Sequence, residues 1–133
     1  MIEVREEVMA PFFTKWHLHG LPFAAVLHRF TEPDHGDFHS HPWPFRSFIL
    51  SGGYVELVLD VGTGAQRTVE HKPGDSFLVA AEHVHRILAL PAGECWTLIQ
   101  PQGPKVQEPG FYQWRDGKPW HRFWHVPEFS PLS

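Results

Sequence analysis

Residues 38–53 read FHSHPWPFRSFILSGG: two histidines one residue apart, a proline-broken turn, an apolar run and a glycine pair. In a strand, residues i and i+2 project from one face about 7 Å apart along the chain, so His39 and His41 can meet on one ion where that face lines a concave interior. Pro42 and Pro44 interrupt the alternation. FRSFIL (45–50) then resumes as a strand, and Gly52-Gly53 supplies the positive φ of a tight turn into YVELVLD (54–60). The same rhythm continues outward, with Phe23–Phe30, Arg67–His71, Ser76–Ala80, His83–Leu90 and Trp96–Gln100 reading as further short strands. Gly62-Thr63-Gly64 closes a hairpin, and Lys72-Pro73-Gly74-Asp75 carries the Pro and Gly of a type II turn. The best helical candidate is Ile2–Met9, rich in Glu and stopped by Pro11. This pattern predicts an all-β sandwich or small barrel.

At 133 residues the chain is expected to form one domain over 1–133, with a core at about 25–100 and an aromatic-rich extension over 105–133. Eleven Lys+Arg against fifteen Asp+Glu give a formal charge of −4, which argues against a nucleic-acid partner. The N-terminus carries acids where a signal peptide needs basic residues, and it has no long apolar run, so a cytoplasmic protein with no membrane segment is expected. The lone Cys95, on a strand, reads as a small buried hydrophobe. In the C-terminal stretch, Asp116-Gly117 is a hairpin turn, and Trp114, Trp120, Phe123 and Trp124 either cover one end of the barrel or pack a subunit interface. A homodimer is the corresponding expectation.

Two imidazoles do not complete a metal site. His85 is the best third ligand, because a Pro-Gly-Asp turn would bring its strand back across the barrel. His83 shares the His85 face and is a candidate acid/base, a further ligand or a hydrogen-bonding partner. Arg46 either holds a substrate carboxylate or points outward into solvent. Asp37, on the His39 face, is a possible carboxylate ligand but reads first as part of a turn, whereas His35, His71, His121 and His125 have no spacing that pairs them with a partner. Phe38, Trp43 and Trp96 wall a pocket or pack the core.

With this spacing the chain resembles the cupin superfamily, whose two motifs run G-x5-H-x-H-x3-4-E-x6-G and G-x5-P-x-G-x2-H-x3-N. His39, His41 and Gly53 match the first, with Pro33 in place of its opening glycine; Gly74 and His85 match the second, with Ala80, Glu82 and Ala89 replacing its proline, glycine and asparagine. HPWPF is also similar to a small cupin-like group written HxHPWxF. The resemblance covers roughly Ala25 to Ile99 and implies a cupin barrel, a double-stranded β-helix, with a divalent metal on His39, His41 and His85. The motif glutamate is replaced by Phe45 or Arg46, which leaves three neutral ligands. Three-histidine cupins are similar in this to thiol dioxygenases and ring-cleaving dioxygenases. The resemblance therefore implies an Fe(II) dioxygenase of a small anionic chelating substrate, with His83 or Arg46 orienting the substrate. A cupin isomerase or lyase using Zn, Ni, Mn or Cu, and a non-catalytic ligand-binding module, are the alternatives. Imidazole binds metal only when neutral, so occupancy is expected to fall between about pH 7 and 5.

Overall fold

The computed structural model describes residues 1–34 and 36–132, so His35 lies outside it. The described residues form thirteen strands: β1 (Glu3–Ala10), β2 (Phe13–His19), β3 (Ala25–Phe30), β4 (Phe38–His39), β5 (Phe45–Ser51), β6 (Tyr54–Leu59), β7 (Gln66–His71), β8 (Ser76–Val79), β9 (His85–Ala89), β10 (Cys95–Pro101), β11 (Gly110–Arg115), β12 (Lys118–Phe123) and β13 (Ser130–Pro131). They make two antiparallel sheets, in the orders β1-β2-β3-β10-β5-β8 and β13-β12-β11-β4-β9-β6-β7. All seven strands expected from the sequence are present. No helix of the described residues is long and apolar enough to cross a membrane.

The turns form as their residues dictate. Gly52 and Gly53 both have positive φ between β5 and β6, and a Cβ at Gly52 would fall 1.8 Å from the Glu94 carbonyl oxygen. Gly74 has φ 95°, and the Asp75 amide donates to the Lys72 carbonyl at 3.0 Å, closing the turn before β8. Asp116 and Gly117 have φ 55° and 71°, the pair of positive values that a two-residue I′ hairpin needs.

Ile2–Met9 is a strand rather than a helix: β1 pairs with β2 from Glu3↔His19 to Ala10↔Phe13. Its helix-forming Glu and Arg yield to a full antiparallel ladder, since tertiary pairing outweighs weak local propensity.

Between the sheets, Ile49 of β5, Tyr54 of β6, Ile87 of β9 and Cys95 of β10 form the packed cluster, with Phe30, Phe77 and Leu90 against it. Cys95 is fully buried, and burial pushes its thiol up to about 11, as suits an inert apolar filler. Alternation assigns the faces: Ser47 and Ile49 point inward while Phe48 and Leu50 point out.

Candidate metal centre

β4 and β9 pair at a single position, His39↔His85, in the seven-stranded sheet. His41 lies just past β4, and the loop is held there: its amide donates to the Ala81 carbonyl, and the Gln107 side-chain amide donates at 2.8 Å to both the His41 and the Ala81 carbonyls. Pro42 and Pro44 keep the chain out of regular pairing, and their carbonyls accept from Val106 and Gln102. The three rings converge, with centroids 5.4 Å apart for His39–His41 and 4.9 Å for both pairs with His85. One nitrogen from each of the three lies within 4.8 Å of the others, a spacing fit for a metal ion.

His41 Nε2 and His85 Nδ1 are buried with no hydrogen-bond partner among the described residues. Buried imidazole nitrogens are normally paired, and two unpartnered ones in one cluster suit metal ligation. Two of the imidazoles, His39 and His41, are shifted towards the neutral form. Burial, then the neighbouring His85 and His83, lowers His39 to about 3, and burial with His85 and His39 brings His41 well below its ordinary value. Burial thus favours the neutral, metal-binding form of both imidazoles.

Glu56 is the residue that sequence reasoning missed. It sits on β6, one strand from β9, on the inward face between Tyr54 and Val58, and is 3% exposed. Its two oxygens are divided between two imidazoles: His83 Nε2 lies 2.7 Å from Oε1 and His71 Nε2 lies 2.7 Å from Oε2. His85 Nδ1 is 3.6 Å from Oε1. Burial alone would raise this carboxyl, but the bonds from His71 and His83, with His85 close by, outweigh it and hold Glu56 ionised well below the usual carboxylate range. Glu56, His83 and His85 form a second group of metal-ligand geometry that shares His85 with the first. Three neutral ligands with no protein anion nearby is thus not the arrangement; a buried carboxylate abuts the cluster.

His83 stands where an acid/base would be useful, its ring 4.7 Å from that of His85 and parallel to that of His41 at 6.5 Å. Arg46 does not join it. Phe45 and Ser47 take the inward positions of β5, and Arg46 projects from the outer face, where Nη1 donates to the Ser76 hydroxyl at 3.2 Å. Phe45, at one of the two places for the motif glutamate, sets its ring edge-on to His41 at 5.0 Å. Asp37 is bound by the Gln113 amide at 2.8 Å and belongs to neither metal-competent group; Asp34 is the acid nearest His39, 3.6 Å from Nδ1. Trp96 lies on the outer face, stacked on Trp16 at 5.4 Å. His39 and His83 have side chains 32% and 23% exposed against 9% for His85 and 4% for Glu56, so the cluster opens on the His39–His83 side. The clefts of about 260 and 300 Å³ lie elsewhere, beside Tyr112–Trp114 and beside Val58–Asp60.

No family model and no curated protein matches the chain. Solved structures do. An oxalate decarboxylase from Lactobacillus farciminis, in complex with formate, is 19% identical over 79% of this chain and 32% of its own, with a TM-score of 0.61. A cupin 2 conserved barrel domain protein from Rhodopseudomonas palustris is 15% identical over 87% of this chain and 80% of its own, also at 0.61. Hydroxypropylphosphonic acid epoxidase from S. wedmorenis is 13% identical over 75% and 56%, at 0.57. The chain thus spans about a third of the decarboxylase and little over half of the epoxidase. At such identities the likeness is one of architecture: the chain has the cupin fold, and its histidine cluster has the spacing of a metal-ion site.

Proposed function

We propose that this cupin is a divalent-metal enzyme that moves a proton on a small anionic substrate, of the isomerase or lyase type. The observation that carries this reading is the bond between buried Glu56 and His83 beside the three-histidine cluster. His39, His41 and His85 would hold the ion, which when bound supplies Lewis-acid polarisation of a substrate oxygen. Glu56 accepts the Nε2–H of His83, which fixes that tautomer and leaves Nδ1 with the lone pair that takes a proton; the carboxylate then stabilises the imidazolium. His71, on the other oxygen, fixes the rotation of the carboxylate. Phe45 keeps water from one side of His41. The likeness in fold to an oxalate decarboxylase and a hydroxypropylphosphonic acid epoxidase supports a small anion as substrate.

The Fe(II) dioxygenase reading remains the second. It is favoured by Phe45 in place of the motif acid, which leaves three neutral ligands and room for a chelating anion. One experiment separates the readings. Protein loaded in turn with Fe, Mn, Zn, Ni and Cu is incubated in D₂O with keto acids, hydroxy acids, thiols and catechols, while carbon-bound deuterium is followed by NMR and O₂ by electrode. Deuterium exchange without O₂ uptake, lost in His83→Gln, is the expected result. O₂ uptake without exchange would give the dioxygenase reading, and tight binding with neither would give the non-catalytic module.

A further inference from the structure

Opposite the histidine cluster, the inner wall of the barrel is polar. On the hairpin β1–β2, Val4 and Val8 face outward, 59% and 64% exposed, and Glu7 and Lys15 take the inner face. Register fixes that direction. Glu7, Lys15, His28, Thr97 and Ile49 lie side by side across β1, β2, β3, β10 and β5, and Thr97 and Ile49 are each 2% exposed within the core. The sheets stack strand over strand: the Phe77 ring of β8 lies on the His71 ring of β7 with centroids 4.0 Å apart, and the core cluster joins β5 and β10 to β6 and β9. The two strand orders then set β3 over β4 and β2 over β11, which puts Lys15 across the barrel from the His39 wall. Its charge reaches that wall. Burial first, then His85 and His83, and then Lys15 lower His39.

Lys15 is half-buried and lacks an anion. Among the described residues no carboxylate bonds it: Glu7, its neighbour in the ladder, accepts from His17 at 2.8 Å instead, and Lys15 Nζ lies 5.5 Å from the centre of the Phe13 ring. Burial holds the amine below the usual lysine range, and Glu7 opposes that shift. Further along the same row, Thr97 Oγ1 is buried with no hydrogen-bond partner. Taking an ammonium out of water without a partner costs free energy, and a bound anion offsets that cost.

We infer that Lys15 holds the distal anionic group of a substrate whose other end lies on the histidine cluster. This rests on the metal of the proposed function, and it narrows the substrate from a small anion to a short dianion. The molecule is short because stacked sheets are only about 10 Å apart and side chains fill much of that gap. Lys15 is here a specificity-determining residue, a point charge that selects a second negative end.

The test is calorimetry on untagged, Zn(II)-loaded full-length protein, with malonate and succinate set against the length-matched monoanions propionate and butyrate. At least one dianion should bind about tenfold more tightly than its monoanion, the worth of one charge-assisted hydrogen bond. Lys15→Met and Lys15→Gln should remove that advantage and leave the monoanions unchanged, Lys15→Arg should keep it, and Lys105→Met, which breaks the exposed pair with Glu108, should have no effect. Zn(II) affinity should not fall in Lys15→Met, since a like charge is removed, and circular dichroism should show the same fold. Equal affinity for dianion and monoanion, or an advantage that survives both Lys15→Met and Lys15→Gln, would overturn the inference and leave the metal-enzyme reading standing. Lys15-dependent dianion binding by a protein that exchanges no substrate proton would uphold the anchor and remove the proton-transfer reading. A protein that takes up no Zn(II) would overturn both.

Discussion

The two walls of the barrel treat the histidine cluster in opposite ways. From the six-stranded sheet, β5 offers Phe45, an aromatic edge against His41 with no charge. From the seven-stranded sheet, β6 and β7 offer Glu56 and His71, a buried carboxylate held by two imidazoles. The carboxylate expected beside the His-x-His pair is absent from its usual strand, and one stands across the barrel. There it contacts His83 by hydrogen bond and lies 3.6 Å from His85, so under the proposed function it orients the acid/base and one metal ligand.

Removing the charged wall should have the largest effect. Glu56→Gln keeps the shape but strands a donor of His71 or His83 in a buried site, and should cost about 1–3 kcal/mol in urea unfolding. Proton exchange with substrate should fall by about 10²–10⁴, the range that a positioned acid/base supplies. Equal exchange rates in wild type and variant would leave Glu56 a purely structural group.

A second contrast is between the barrel's buried imidazoles and ordinary ones. With His39 lowered to about 3 and His41 well below its usual value, metal should persist at pH 5 and be lost only in more acid solution. Equilibrium dialysis from pH 7.5 to 3.5 checks this, and half-loss near pH 6 would contradict it. His28 provides a case away from the cluster. It lies edge-on to the Phe13 and Phe30 rings, and burial first, then Lys15 and His17, lowers it to about 3. The unfolded imidazole titrates near 6.5 and so binds the extra proton between 6.5 and 3. The contribution is fully present above 6.5 and is lost as pH falls, by on the order of 1 kcal/mol per pH unit. Urea midpoints at pH 7.5, 6 and 5 should fall less steeply in His28→Gln than in wild type.

The smallest effect should come from charging the apolar wall. Phe45→Glu places a carboxylate beside His41 and should tighten Mn(II) or Zn(II) binding about tenfold by calorimetry, since an anionic ligand is added to neutral ones. Unchanged affinity would mean that the side chain at 45 cannot reach the ion.

What was legible in the sequence follows the same division. Strands punctuated by Gly-Gly, Pro-Gly and Asp-Gly turns could be read because those residues have local mechanisms, and the His-x-His pair with His85 could be read from spacing. Glu56 could not be found by spacing, for it reaches the cluster through the β6–β9 ladder rather than along the chain. The available signal was parity: Tyr54, Glu56 and Val58 share one face of an otherwise apolar strand, and an acid among them is buried and must be partnered. His71 has no partner by spacing for the same reason, since its carboxylate is supplied by the neighbouring strand. Pro42 and Pro44 obscured the direction of Arg46, and Ile2–Met9 hid a strand whose apolar residues face away from the barrel.

The central claim is that His39, His41 and His85 hold one divalent ion while Glu56 and His83 stand beside it. Elemental analysis of untagged protein, saturated with Zn(II) or Mn(II) and then dialysed, tests this most directly across His39→Ala, His41→Ala, His85→Ala, Glu56→Gln and His83→Ala. One ion per chain is expected, lost in His39→Ala, His41→Ala and His85→Ala and kept in the other two variants. An ion kept in His39→Ala and His41→Ala but lost in Glu56→Gln and His83→Ala would place the metal on Glu56, His83 and His85 and contradict it.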